Sequence, residues 1–121
     1  MTAVSIFPPV VAGTKRAARL NARVARRLGW KRDAVQVLTS DDYFTVLVGG
    51  RDFDIFGDKK LVKILSKQLD IRVKNKVVKN VGVMHSVRVS GSNESDFCED
   101  PREALVRAIL ATPRRQLRSF F

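Results

Sequence analysis

A chain of 121 residues, 45% of them hydrophobic, is large enough for one real core and too small for two comfortable ones. Its 23 Lys and Arg against 12 Asp and Glu leave a formal charge of +11, which points toward nucleic acid, an anionic membrane surface or an acidic protein partner and says nothing about fold. The single Cys98 excludes an internal disulfide framework and suits a reducing compartment, and no run approaches the roughly 20 apolar residues of a membrane span.

Residues 1–13 read as an extended N-terminal arm, because Pro8-Pro9 forbids helix. Lacking a basic leader, this stretch makes a poor signal peptide, so a cytoplasmic location is expected, the host's if the protein is viral or from a phage. Its apolar content implies docking on its own sheet or on a neighbouring subunit, and a homo-oligomer formed through this arm or the C-terminal tail is expected. A first helix is predicted from an N-cap at Thr14 to Leu28, with Gly29 ending it in the left-handed region and Trp30 next. Within it TKRAARLNARVARR carries six cations and no carboxylate. At about 100° per residue, Arg16, Arg19, Arg23, Arg26 and Arg27 form one stripe, while Ala17, Leu20, Val24 and Leu28 gather on an apolar face. Like charges three or four apart cost roughly 1–2 kcal/mol here in total, a repulsion that an ordinary solvated helix dilutes with Glu. The whole segment 1–40 holds eight cations against Asp33 alone.

Three strands follow, AVQVLT (34–39), YFTVLV (43–48) and RDFDIF (51–56), turning at Asp41-Asp42 and Gly49-Gly50, with the middle one central. Asp58 caps a second helix over 59–69, with Leu61, Val62, Ile64, Leu65 and Leu69 on one side and Lys59, Lys60, Lys63 and Lys67 on the other. Residues 71–90 form a hairpin turning near Asn75 or Asn80, with Val81, Val83, His85, Val87 and Val89 on one face. The acidic stretch 91–100 reads as a mobile loop. A third helix starts at Asp100, with Pro101 in its first turn and Glu103 at the spacing of a capping box. Pro113 stops it, and 113–121 is a basic and aromatic tail bearing Arg114, Arg115, Arg118, Phe120 and Phe121. The expected fold is α+β, an antiparallel sheet of about five strands (three-stranded meander plus hairpin) with three helices in the order α-β-β-β-α-β-β-α. Residues 14–112 form its single domain.

The helix, meander and helix of residues 14–69 resemble the element order of double-stranded RNA-binding domains, and FTVLVGG ahead of DKKLVK is similar to that family's last strands and lysine-rich second helix. That resemblance implies phosphate gripping by Lys59, Lys60 and Lys63. The chain departs from the family in placing Leu, Val and Ile where its second helix is alanine-rich, in the arginine content of the first helix, and in some fifty further residues.

The expected function is non-catalytic binding of DNA or RNA, single strands slightly favoured, largely through phosphates and with low sequence preference. The contact residues expected are Arg16, Arg19, Arg23, Arg26, Arg27, Lys31 and Arg32, then Lys59, Lys60, Lys63 and Lys67, then Arg114, Arg115 and Arg118. Trp30, Phe120 and Phe121 either stack on bases, worth about 1–3 kcal/mol each, or pack within the protein or an interface. A viral or phage accessory or regulatory protein would fit. The alternative is an adaptor or inhibitor that binds an acidic face of a partner such as a nucleic-acid enzyme. A third is a metal-dependent nuclease using Asp52, Asp54, Asp58 and Lys60, although Asp58 is better placed as a helix cap. His85 lies in a valine strand and Cys98 has no metal-ligand spacing, so no catalytic residue, cofactor or metal is expected. A membrane surface is disfavoured, since the first helix lacks Trp or Phe on its apolar side.

Overall fold

A computed structural model describes residues 4–5, 9–89 and 97–118. The chain is α+β, with elements in the order β1 (Val4–Ser5), α1 (Lys15–Arg27), β2 (Val35–Ser40), β3 (Tyr43–Val48), β4 (Arg51–Asp52), α2 (Lys59–Gln68), β5 (Arg72–Val78), β6 (Gly82–Arg88), β7 (Phe97–Cys98), α3 (Pro101–Ala111) and α4 (Arg114–Arg118). The meander and the hairpin lie in two separate sheets, β2-β3-β4 and β1-β7-β6-β5. The extra strands are two-residue pieces: β1 of the arm pairs in parallel with β7, Val4 opposite Phe97, so the arm docks on its own sheet. β7 lies inside the stretch read from sequence as a loop; residues 91–96 of that stretch are outside the described residues.

Local chemistry accounts for most boundaries. Thr14 accepts the Ala17 N–H, Asp58 those of Lys60 and Leu61, and Asp100 that of Arg102, each capping a helix start. Asp41-Asp42 and Gly49-Gly50 all take positive φ, as two-residue hairpin turns require, and β3 is the central strand. The hairpin turns at Asn80, also at positive φ. The third strand stops at Asp52 instead of running to Phe56. Beyond it the Ile55 N–H is taken by Asn21 Oδ1 (3.0 Å) and the Phe56 N–H by Asp54 Oδ1 (3.1 Å), so side chains replace the ladder there.

Packing runs from the meander through α1 and α3 to the hairpin sheet: α1 touches β2, β3 and α3, and α3 lies on β6 and β7. Ala17, Ala18, Ala22, Val24, Ala25 and Leu28 of the first helical segment are buried, and their small side chains let the neighbours approach closely on a wide arc. Val87, Val89, Cys98, Leu105 and Ile109 continue the same core. The α2 apolar side is covered less than its pattern implies. Leu65 and the capping Leu69 are buried, Leu61 and Val62 half-buried, and Ile64 is 53% exposed. Pro113 ends α3 as expected, but the segment after it forms the short α4 with Leu117 buried. His85 Nδ1 lies 2.7 Å from Asn75 Oδ1 across the hairpin, as suits a sheet histidine.

Candidate nucleic-acid interface

Lys15, Arg16, Arg19, Arg23, Arg26 and Arg27 occupy an arc of roughly 120° on α1, opposite the buried alanines. The structure divides this stripe. Arg16 pairs with Glu103 Oε1 of α3 at 3.2 Å, and Arg107, one turn later on α3, reaches the same oxygen at 3.2 Å. Glu103 is 5% exposed, and its carboxylate is turned to these arginines rather than back to the cap at Asp100, so the capping box read from sequence is a bridge between helices. Arg27 donates to the Leu110 carbonyl (3.0 Å) in the last turn of α3, where a cation meets the negative end of the helix. With Arg16 near the start of α3 and Arg27 near its end, the two helices run side by side in the same direction.

Arg19 and Arg23 remain outward and exposed, Arg26 is half-buried with its Nε out of reach of any acceptor, and none of the three forms an ion pair among the described residues. Arg16, Arg23 and Arg107 converge over a cavity of about 420 Å³ floored by Leu20, Val106 and Leu110. Arg107 is thus a cation of this surface that the sequence pattern did not single out; its spacing of four from Glu103 was the available signal.

α1 ends in a Schellman turn. Gly29, at φ +109°, donates to the Arg26 carbonyl, and Trp30 donates to that of Ala25. That geometry delivers Trp30 to the surface, 48% exposed, with its ring over Gly49 of the β3–β4 turn. Lys31 and Arg32 follow, both exposed, at a single 3-10 turn. The tail leaves α3 beside this same end of α1, since Arg27 contacts Leu110; Arg114 and Arg115 are exposed, while the Arg118 side chain, Phe120 and Phe121 lie outside the described residues.

Lys59, Lys60, Lys63 and Lys67 are exposed on α2. Their stripe does not merge with that of α1: the α1 residues that meet the β4–α2 connection and the side of α2 are Asn21 and Leu28, about 120–140° round the helix from Arg16. The two stripes therefore face different sides. Lys59 instead lines a cavity with Arg102 at the start of α3.

Asp52, Asp54 and Asp58 line one cavity of about 370 Å³ with Asn21 and Thr45, but Asp54 lies beyond the strand rather than on a shared face with Asp52. Asp54 Oδ1 accepts from Asn21 and Phe56, and Asp58 Oδ1 caps α2. No group of three or more His, Cys, Asp or Glu among the described residues is arranged to hold a metal ion.

Glu103→Gln is expected to lower stability by about 1–2 kcal/mol, read as a fall in Tm. The loss stays below that of a fully buried pair because both arginines are partly solvated. The chain matches no protein-family model, no curated protein and no solved structure.

Proposed function

We propose that the protein is a non-catalytic nucleic-acid-binding protein that grips the phosphate backbone of DNA or RNA through the outward arginines of α1. The observation that carries this is Arg19 and Arg23, two exposed guanidiniums on one helix face with the half-buried Arg26 next to them, none with a carboxylate partner among the described residues, beside Arg16, Arg27 and Arg107. A helix that keeps such repulsion forgoes stability, and counterion release by a polyanion is the compensation that clustered arginines are suited to. Lys31, Arg32, Arg114 and Arg115 extend the surface from the end of α1, and the α2 lysines form a second, separate strip. The lone cysteine is buried, which accords with a reducing, cytoplasmic setting, and no helix among the described residues is long and apolar enough to cross a membrane.

Gel-shift at low salt with single-stranded DNA, duplex DNA and RNA tests this directly. A shift with at least one of them is expected; no shift with any would transfer the surface to an acidic protein partner.

Self-association belongs to the same proposal. β2 is an edge strand exposed along Gln36–Ser40, and Val35–Ser40 contains no charge and no proline. Edges are ordinarily guarded by such residues, as β5 is by Arg72, Lys74 and Lys76. Antiparallel pairing of β2 with a second copy would join two meanders into one sheet. Light scattering is expected to give a dimer mass that falls to the monomer in Val37→Lys with Leu38→Lys; a monomeric parent protein at high concentration would contradict it.

A further inference from the structure

Between the C-terminal end of α1, the β3–β4 turn and α2 lies an open groove of about 630 Å³. Leu28, Trp30, Phe53, Leu61, Ile64 and Leu65 give it an apolar wall and floor. Two of these, Trp30 at 48% and Ile64 at 53% exposure, are the large side chains that folding leaves in water on either lip. Arg51 and Gln68 supply hydrogen-bond donors at the rim, and Asp52 an acceptor. On α2, Lys60 and Lys67 stand about 40–60° round the helix from Ile64, so cations border the lip. Lys31 and Arg32 directly follow Trp30 on the other side.

The geometry points to this groove as a nucleobase site, in which a base of a single-stranded nucleic acid stacks on Trp30 while its phosphates lie against the flanking cations. The inference rests on the backbone-binding function proposed above and adds what that function lacks, a feature that separates a single strand from a duplex. An aromatic ring held at a fixed angle, an apolar floor and a few polar groups at the rim are what an unstacked base meets in single-strand sites. The positive rim disfavours a second copy of this chain as the occupant, because each copy would bring the same charges. The groove lies between the C-terminal end of α1, followed by Trp30, Lys31 and Arg32, and the α2 side that bears Ile64, so a strand reaching from Lys31 and Arg32 to Lys60 and Lys67 passes over Trp30.

The chain has one tryptophan, so fluorescence excited at the red edge of the absorption band, where Tyr43 does not absorb, reports on Trp30 alone. Titration with a short oligothymidylate is expected to quench it, and an abasic oligomer of the same length, which offers phosphates without bases, is expected to bind roughly ten-fold or more weakly and leave the fluorescence unchanged. Trp30→Ala should weaken oligothymidylate binding by roughly ten- to a hundred-fold while Trp30→Phe retains most of it. Equal affinity for the abasic and base-bearing oligomers, without quenching, overturns the base site and leaves backbone binding standing. Absence of binding to either at low salt overturns both. Because quenching and the abasic comparison use the unaltered protein, the test does not depend on how the variants fold.

Discussion

Arg19→Glu combined with Arg23→Glu is expected to weaken binding to a single-stranded oligonucleotide by roughly a hundred-fold at about 0.1 M salt, and to lower the slope of log affinity against log salt by about one to two units. Each substitution removes one phosphate contact and sets a carboxylate against the polyanion. Neither side chain is buried or ion-paired among the described residues, so the core beneath, Ala18, Ala22 and Val24, is untouched. The sign of the stability change makes the prediction sharp. A carboxylate at position 19 would stand three and four residues from Arg16 and Lys15, and one at position 23 three and four residues from Arg26 and Arg27, turning four like-charge pairs into opposite ones while positions 19 and 23 stay alike in sign. The variant should therefore melt no lower than the parent while losing its ligand. Unchanged binding at a higher Tm would show that the arginines serve neither fold nor nucleic acid.

The second large effect concerns stability. Asn21 is 3% exposed on the buried side of α1; its amide donates to Asp54 Oδ1 (3.3 Å) and its carbonyl oxygen accepts the Ile55 N–H (3.0 Å). Asn21→Leu keeps the branching and the number of heavy atoms, so no cavity opens and the loss is chiefly polar, with some overpacking from the larger methyls: a buried N–H is orphaned, at about 1–3 kcal/mol, and Asp54 loses a donor. A fall in Tm of roughly 10 °C is expected. Asn21→Asp preserves the acceptor for Ile55 but opposes a second carboxylate to Asp54, and should be at least as damaging at neutral pH. Thermal melts that leave either variant at the parent Tm would remove Asn21 as the pin of the β4–α2 connection. Oligonucleotide affinity of the folded protein should not change, since Asn21 lies away from the arginine stripe.

The arginine stripe and Asn21 mark where the sequence was legible and where it was not. Caps and turns are local, so Thr14, Asp58, Asp100, Gly29 and the pairs 41–42 and 49–50 could be placed from neighbours alone. The stripe of α1 follows from helical spacing in the same way. Contacts across the fold were hidden. RDFDIF alternates like a strand, and what ends it at Asp52 is an amide more than thirty residues earlier. Glu103 sits where a capping box would have it, and its partners Arg16 and Arg107 appear only when α1 and α3 lie side by side. Asn21 itself was visible as the one polar residue among Ala17, Ala25 and Leu28 on the apolar arc, a signal that it bonds inside the protein. The division of meander and hairpin into two sheets left no trace in periodicity, because both halves alternate alike whichever sheet they join. The sequence leaves Trp30 open between a base contact and a packing residue at the helix end, and the Schellman turn leaves half its surface exposed.

The most direct measurement is the salt dependence of oligonucleotide binding by the unaltered protein, followed by fluorescence anisotropy of a labelled single strand. Engagement of about six phosphates by the α1 arginines and the cations beside Trp30 predicts a log–log slope near −4. Affinity that changes by less than one logarithmic unit per tenfold change in salt would contradict backbone gripping by this helix.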